Sequence, residues 1–386
     1  MDANTLALMA QGFGNALDPM NLLMMAIGVT IGVIVGCMPG LSAAMGVALL
    51  LPLTFGMKAE TGLIMLGGIY CGAIFGGSIC AILIHTPGTP ASAATALDGY
   101  ELTKQGRAGK ALGTACTASF FGGLLSCISL YFFAPLLAEL AMKFGSPEYF
   151  WLALFGLTII ACFLGYNTAK QFSKTPEKFG HGSIEGVAGS EAANNAVTGG
   201  SLIPTLTLGI PGESVTAVLM GGLIIQSLQP GPELFTKYAP MTYTFFAGFV
   251  IVQFFMLLIG LGGCRIFAHI AKISDAILIP CIFVLCVVGS FAINNSFVDV
   301  VLMFIFGVMG YLMRKMGLNT AAVVLALILG PIGERGLRRS LTLSGNDISI
   351  LFSTPICWGL IILCVLSAFS PLLMDWLKKG KAAIKG

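Results

Sequence analysis

The sequence predicts an all-α protein that crosses a membrane many times. Of its 386 residues, 56% are hydrophobic and only 10% are charged, and the mean hydropathy is +0.93. A soluble domain carries about 25% charged residues, so this chain lacks the polar side chains that a water-facing surface needs. Apolar runs of membrane-spanning length recur along the chain, and two Pro-Gly breaks within them match each other in sequence.

The apolar runs give the order of the predicted spans. A helix needs about 20 residues to cross the hydrocarbon core of a bilayer, and the longer runs reach that length. The runs occupy residues 20–38, 61–84, 111–138, 147–165, 199–229, 241–264, 276–293, 297–313 and 350–374. They predict about nine to eleven crossings and some re-entrant pieces. Four lysines follow the last run, which places this tail in the cytoplasm by the positive-inside rule.

The reactive side chains show no catalytic or metal-binding pattern. The 11 cysteines are scattered through the apolar runs without a C-x-x-C pair, which favours reduced, buried thiols. The three histidines are far apart in sequence, and we expect a neutral, hydrogen-bonded His85 inside a span. Intramembrane proteases need a Ser/His pair or paired aspartates in spans. This sequence has no such spacing, so we expect that the protein is not an enzyme. We also expect no cofactor, no resident metal ion and no nucleic-acid partner.

Two stretches of the chain repeat each other. GGSICAILIHTPGTPASA, residues 76–93, matches GGSLIPTLTLGIPGESVTA, residues 199–217, with one residue of slack. Both begin with Gly-Gly-Ser, continue through an apolar run and break at Pro-Gly. Hydroxyl residues follow the two prolines at the same offset. A matched pair of breaks indicates a duplicated unit, the usual plan of a membrane transporter.

A Pro-Gly break creates binding groups inside a membrane. Proline removes a backbone donor and glycine tolerates almost any backbone angle, so the pair unwinds a helix. In hydrocarbon each freed backbone group costs several kcal/mol, so the break must line a protein-buried or watery cavity. The following half-helix directs N–H groups at the break and favours an anion, while carbonyls and hydroxyls suit Na⁺. The alternative for either break alone is a packed kink.

A third break lacks its partner. Pro39-Gly40, followed by Ser42, lies 48 residues before Pro87. A complete repeat needs another break 48 residues before Pro211, near Phe163, where the sequence LTIIACFLGYN has no proline. We therefore predict a first transmembrane repeat over residues 1–161. Residues 162–386 then contain a truncated second repeat and the C-terminal spans.

Long blocks of the sequence resemble the large membrane subunit of the tripartite tricarboxylate transporter family. The resemblance covers nearly the whole chain and is carried by GLSAAMGVALLLPLTFGM, by GGSICAILIHTPGTPASAATALDGYELTKQGRAGKALG, and by EGVAGSEAANNAVTGGSLIPTLTLGIPGESVTAVLMGG. Members of that family look longer, with additional spans and a second break between the segments that are joined here at about 161–163. The chain therefore looks internally deleted at that point.

The resemblance implies a fold, an activity and partners. It implies an inverted-repeat secondary transporter of the bacterial inner membrane, with Pro-Gly-broken helices or re-entrant hairpins and an incomplete second repeat. Such a subunit imports a di- or tricarboxylate such as citrate by symport with Na⁺ or H⁺. It works in the lipid bilayer with a small membrane subunit and a periplasmic solute-binding protein. The alternative is a deleted, non-transporting relict that only binds partners.

The candidate substrate- and ion-binding residues surround the three breaks. They are Pro39, Gly40, Ser42, Thr86, Pro87, Gly88, Thr89, Ser92, Asn194, Asn195, Gly209, Pro211, Gly212, Glu213, Ser214 and Thr216, with a possible Na⁺ near the breaks. Glycine and proline shape the backbone, and the hydroxyls contact the ligand. Glu213 is either a coupling group or a wet interfacial residue. Asn194 and Asn195 share a helical face with Glu191, and the alternative for this polar group is helix capping at the entrance of a span. The expectation at Asp98-Gly99 is a cytoplasmic turn.

Overall fold

Helices make up the folded parts of the chain. The computed structural model describes residues 3–38, 41–89, 92–156, 164–270, 275–294, 296–316 and 320–366, and in these ranges it contains no β-strand. The helices up to residue 172 are α1 Ala3–Ala16, α2 Pro19–Gly36, α3 Ala43–Leu50, α4 Ala59–Ile84, α5 Ala93–Lys104, α6 Ala108–Ala141, α7 Ser146–Gly156 and α8 Leu164–Phe172. Those that follow are α9 Ile184–Leu208, α10 Ser214–Ile225, α11 Glu233–Thr236, α12 Ala239–Ile270, α13 Asp275–Asn294, α14 Phe297–Lys315, α15 Thr320–Leu343 and α16 Pro355–Leu366. The predicted all-α class is confirmed.

Several helices have the length and the surface of membrane spans. Within the described ranges, four stretches are long and apolar enough to cross, namely Pro19–Gly36, Ala59–Ile84, Ala108–Ala141 and Ala239–Cys264. The outer face of α6 carries Phe121, Leu125 and Phe132, each more than 60% exposed. Soluble proteins rarely expose such continuous apolar faces, so this face contacts lipid. The chain is a multi-pass membrane protein, and nine to eleven crossings stay a prediction.

Helix α4 is the centre of the fold. Every residue from Thr61 to Ile82 is buried. Glycines spaced four apart on α2 and α4 bring the two backbones into contact. A Cβ at Gly32 would lie 2.4 Å from the Ile69 carbonyl oxygen, and a Cβ at Gly72 would lie 2.5 Å from the Val29 carbonyl oxygen. Small residues at this spacing allow close packing of membrane helices. The glycine-rich face of α4 is therefore a packing surface.

Helices from both sides of residue 161 pack together around α4. α9 packs along α6, and α12 contacts α1, α2, α4 and α6. The short helices cross between the two parts, because α5 packs on α9 while α10 packs on α3 and α4. The junction at 161–163 and the position near Phe163 lie outside the described residues. The division into repeats at residue 161 stays a prediction.

Two polar segments are more helical than expected. α9 begins at Ile184, so Glu191, Asn194 and Asn195 lie inside a helix and do not cap a span that starts near residue 199. The capping alternative is wrong because Ser183 is the N-cap and accepts a hydrogen bond from the Gly186 N–H. Asp98-Gly99 likewise lies inside α5 and is not a turn.

Candidate functional site

The first Pro-Gly loop folds back along the helix that precedes it. His85 ends α4 in the left-handed conformation, at φ 56°, and its exposed ring packs against Tyr100, so it does not lie inside a span. The chain then folds back along α4. The Gly88 N–H donates a hydrogen bond to the carbonyl of Gly77, 11 residues earlier (3.3 Å). A Cβ at Gly88 would lie 2.4 Å from the Gly36 carbonyl oxygen at the end of α2. Only glycine fits between these two helices.

The second Pro-Gly loop has the same backbone arrangement. Gly209 ends α9 in the left-handed conformation, at φ 69°. Gly212 packs against Ser201, again 11 residues earlier. A Cβ at Gly212 would lie 2.8 Å from the Ser201 Cα. A helix of 12 residues follows each loop, α5 after the first and α10 after the second. The two echoing segments are thus Pro-Gly loops of one local design, while their re-entrant course and inverted orientation in the membrane stay predictions.

The residues that flank the first break in the chain lie next to the first Pro-Gly loop. Pro39 and Gly40 lie outside the described residues. The preceding end of α2 contacts Gly88, as stated above, and Ser42 begins α3 by accepting a hydrogen bond from the Met45 N–H (3.2 Å). α3 packs against α10, the half-helix of the second loop. The described residues on either side of the first break, the end of α2 and the start of α3, therefore contact the same group of helices as the other two breaks.

The hydroxyls after the two prolines stabilise the starts of the short helices. In the first loop, the Thr89 N–H donates to Ser92 Oγ (3.2 Å) and the Ser92 N–H donates to Thr89 Oγ1 (3.3 Å). In the second loop, the Glu213 N–H donates to Thr216 Oγ1 (3.1 Å). These reciprocal bonds resemble capping boxes, which satisfy N–H groups at a helix start. The matched spacing of these residues follows from helix initiation.

The remaining candidate hydroxyls are more open. Thr86 is exposed, and Ser42 and Ser214 are half-buried, whereas Thr89, Ser92 and Thr216 are buried. Thr86 and Pro87 project from the first loop on its exposed side, whereas Pro211 is buried. Ser42, Thr86 and Ser214 are therefore the hydroxyls with room for a ligand.

Glu213 is half-buried and bonds to the central helix, and whether it is a coupling group or a wet interfacial residue stays a prediction. The Tyr70 hydroxyl of α4 donates to Glu213 Oε1, and it also lies 3.0 Å from Ser201 Oγ of α9. Tyr70 is fully buried. Tyr70 and Gly77 are seven residues apart on α4, about 10 Å. Because Tyr70 contacts the second loop and Gly77 the first, both loops lie on one stretch of α4.

A buried polar stripe of α9 runs between the two loops. At one end, Glu191 accepts hydrogen bonds from residues of three helices, and at the other Ser201 contacts Tyr70. The stripe consists of Glu191, Asn194, Asn195, Thr198, Ser201 and Thr205, all buried. The predicted site contains Asn194 and Asn195 of this stripe, but it lacks the stripe's partners Tyr70, Ser78, Thr95 and Ser119 and the nearby Gln253, which bonds to Cys71. Tyr70, Ser78, Ser119 and Gln253 are polar residues within apolar runs. That pattern could have pointed to them, but a comparison of the two repeats does not use it.

Several amides of this stripe and its neighbours have no hydrogen-bond partner. Within the described residues, these atoms are Asn194 Nδ2, both polar atoms of Asn195, and Gln253 Oε1. Buried polar groups are nearly always paired, because an unpaired one costs about 1–3 kcal/mol. These amides lie between the two Pro-Gly loops, where an unpaired polar group is available to a ligand.

Asp98 holds the first half-helix to the start of α9. Its Oδ1 accepts hydrogen bonds from the backbone N–H groups of Gly180, Gly182 and Ser183 at 2.8–2.9 Å. Its Oδ2 accepts one from the Tyr166 hydroxyl (3.0 Å). Burial, reinforced by the charge of Asp98, raises the pKa of Tyr166, so the phenol keeps its proton and remains a donor. Asp98 is therefore a structural anchor.

The fold and the loops define a multi-pass helical membrane protein with two matched Pro-Gly loops packed on its central helix, and paired helix breaks of this kind are typical of transporters. The model of the tripartite tricarboxylate transporter TctA family matches residues 22–163 and 159–325. The chain therefore belongs to this family, which is a family of transporter membrane subunits and not of enzymes.

Two relatives come from Agrobacterium vitis. The chain is 31% identical to an uncharacterized 52.8 kDa protein in the TAR-I ttuC′ 3′ region, over 93% of this chain and 95% of the relative. It is 35% identical to an uncharacterized protein in the TAR-II ttuC′ 3′ region, over 55% of this chain and 89% of that relative. No solved structure is similar to the chain.

The comparisons also bear on the missing segment. The two family matches overlap at residues 159–163, where the sequence predicts a deletion. The alignment with the 52.8 kDa relative spans 478 positions, more than the 386 residues of this chain, whose mass is 40.3 kDa. The relative therefore contains residues that have no counterpart here.

Proposed function

We propose that the chain imports a di- or tricarboxylate, such as citrate, by symport with Na⁺ or H⁺. It acts in the bacterial inner membrane, receives substrate from a periplasmic solute-binding protein and pairs with a small membrane subunit. Family membership supports the class of transporter. The observation that carries the proposal is the pair of Pro-Gly loops, whose contact residues on α4, Gly77 and Tyr70, are about 10 Å apart along the helix.

The substrate carboxylates bind between the two loops. The 12-residue helices α5 and α10 begin directly after the loops, and helix starts favour anions through their N–H groups and dipoles. The unpaired amides of Asn194 and Asn195 lie on α9 between them and supply further donors. Ser42, Thr86 and Ser214 add accessible hydroxyls. These residues form the substrate site that we propose.

Uptake by reconstituted protein tests this function. Proteoliposomes containing the chain and its small subunit, supplied with the binding protein, are expected to accumulate a labelled di- or tricarboxylate when a Na⁺ or H⁺ gradient is imposed. Dissipating the gradient is expected to abolish accumulation. Folded protein that accumulates none of these carboxylates would refute the proposal.

A second candidate is a relict that binds its partners but does not transport. The junction of the family matches at 159–163 favours it, because the break expected near Phe163 is missing with the lost segment. Co-purification of the small subunit with a chain that shows no uptake in the same assay would establish this alternative.

A further inference from the structure

Within the described residues, a fully buried carboxylate makes no hydrogen bond to the residues of either Pro-Gly loop. Glu191 of α9 is 0% exposed. It accepts hydrogen bonds from Ser78 Oγ of α4 (2.6 Å), from Thr95 Oγ1 of α5 and from Ser119 Oγ of α6 (3.0 Å). Four helices thus direct oxygen atoms at one point in the core.

When it is ionised, this carboxylate needs a positive partner. Within the described residues, the salt bridges are Lys104–Glu101 and Arg338–Glu334, and no basic side chain reaches Glu191. Hydroxyl donors stabilise a carboxylate, but they do not neutralise it. Buried charges in proteins are paired with an opposite charge or coordinate a metal ion. The cluster therefore suits a cation.

Unpaired amides on the same helical face supply a second indication. Asn194 and Asn195 follow Glu191 by three and four residues, the spacing of neighbours on one face. The Asn194 side chain lies beside the Glu191 carboxylate, but its Nδ2 atom makes no hydrogen bond of good geometry. Asn195 is 0% exposed, and both of its polar atoms lack partners. Its Oδ1 atom is thus available as a ligand.

We propose that this cluster binds a Na⁺ ion. Its ligands are the side-chain oxygens of Glu191, Ser78, Thr95, Ser119 and Asn195. All of these are hard oxygen ligands, the kind that Na⁺ prefers. The hydroxyls donate to the carboxylate here, but they can rotate and present lone pairs to an ion. A single carboxylate balances one monovalent charge. The role of the ion in driving transport rests on the proposed function, whereas its binding does not.

The position of the cluster links the ion to the substrate site. Thr95 lies in the first turn of α5, the helix that follows the first loop, and Ser78 is adjacent to Gly77, on which Gly88 packs. A bound ion would tie α5 to α9 and fix the first loop against α4. Ion binding would thereby favour the loop conformation that accepts the carboxylate.

Thermal unfolding of the full chain in detergent tests the site. Replacing choline chloride with NaCl at constant ionic strength is expected to raise the Tm of the wild type, because a ligand of the folded state stabilises it. Glu191→Gln is expected to lose this Na⁺ response. Ser119→Ala is expected to raise the Na⁺ concentration for half-maximal stabilisation by about tenfold. No carboxylate is present, so the result does not depend on transport.

Two matched variants control for indirect effects. Glu185→Gln alters an exposed carboxylate on the same helix, and Ser129→Ala removes an exposed hydroxyl of α6 that donates to the Leu125 carbonyl. Both are expected to keep the wild-type response. A wild type without a Na⁺-specific shift, or a full response in Glu191→Gln, would overturn the proposal. If Glu191→Gln does not fold, an unchanged half-maximal concentration in Ser119→Ala overturns it equally. A Na⁺ response that follows this pattern in a chain without uptake would uphold the site and reject the proposed function.

Discussion

The two Pro-Gly loops share a backbone but differ in their surroundings. Each folds back to a residue 11 positions earlier and begins a 12-residue helix with a capping pair. The first loop has one exposed side at His85, Thr86 and Pro87, whereas Gly209 and Pro211 of the second are buried. The repeat thus preserves local structure, while neighbouring helices decide what each loop can contact.

The residue after each Pro-Gly shows this difference most clearly. Thr89 in the first loop corresponds to Glu213 in the second, and both bond to the residue three positions later. Thr89 bonds only locally within the described residues, whereas Glu213 also accepts a hydrogen bond from Tyr70 of α4. The second loop therefore brings a carboxyl group to the central helix, and the first does not.

The largest effect is expected from a methyl group on the glycine of each loop. In Gly88→Ala the new Cβ would meet the Gly36 carbonyl oxygen at 2.4 Å, a backbone atom that cannot move aside. We expect a loss of about 3 kcal/mol in stability and little monodisperse protein by size-exclusion chromatography. Gly212→Ala is expected to lose less, because its nearest contacts are at 2.8 Å.

Gly113→Ala is the matched control for this comparison. No atom lies within 4 Å of a Cβ at this position of α6, and alanine is a better helix former than glycine. Its yield is expected to equal that of the wild type. Normal yield and stability in Gly88→Ala would contradict the close approach of the first loop to α2.

Neutralising Glu213 is expected to lower uptake, whereas a conservative change at Thr89, the corresponding residue of the first loop, is not. Glu213→Gln keeps an oxygen acceptor for Tyr70, so the Tm is expected to stay close to that of the wild type. Uptake is expected to fall to about a tenth or less, the effect of losing an interaction of about 1.4 kcal/mol. Glu233→Gln, at the exposed start of α11, and Thr89→Ser are expected to keep wild-type uptake. Equal uptake in Glu213→Gln and Glu233→Gln would remove Glu213 from the site.

Asp98→Asn is expected to destabilise the half-helix of the first loop. The carboxylate accepts three backbone N–H bonds and one from the Tyr166 hydroxyl, which an amide with a single oxygen cannot do. Each hydrogen bond to a charged group contributes about 1.5–3 kcal/mol to stability. Thermal unfolding is expected to show a Tm decrease. Glu101→Gln removes a partly exposed partner of Lys104 and is expected to change stability by less than about 1 kcal/mol. Equal Tm values for the two variants would show that Asp98 is not an anchor.

The smallest effects are expected at the caps, and they should be equal. Ser92→Ala and Thr216→Ala each remove a hydroxyl that accepts a backbone N–H bond just before or at the start of a short helix, at a cost of about 1 kcal/mol. Uptake per folded molecule is expected to stay at the wild-type value in both. Lower uptake in Thr216→Ala alone, at unchanged expression, would make Thr216 a substrate contact and not merely a cap.

Hydropathy and the Pro-Gly echo predict the helical membrane class and the position of both loops. They do so because bilayer thickness sets the length of apolar runs and because Pro-Gly disrupts a helix wherever it occurs. The resemblance to the family, and the junction at 161–163, are likewise visible in the sequence and agree with the family matches.

The partners of the buried polar groups are not predictable in this way. Glu191 meets Ser78, Thr95 and Ser119 only because four helices converge, and no spacing along the chain encodes that meeting. Asp98-Gly99 has the sequence of a turn, yet tertiary contacts with the start of α9 keep it helical. Long-range packing overrides the local signal in both cases.

A cryo-electron microscopy map of the full chain in lipid nanodiscs with a saturating carboxylate is the most direct test of the central claim. The account predicts two re-entrant loops, with Gly88 beside Gly77 and Gly212 beside Ser201, and substrate density between the starts of α5 and α10. Helices that continue unbroken through Pro87 and Pro211, or density bound away from both loops, would contradict it.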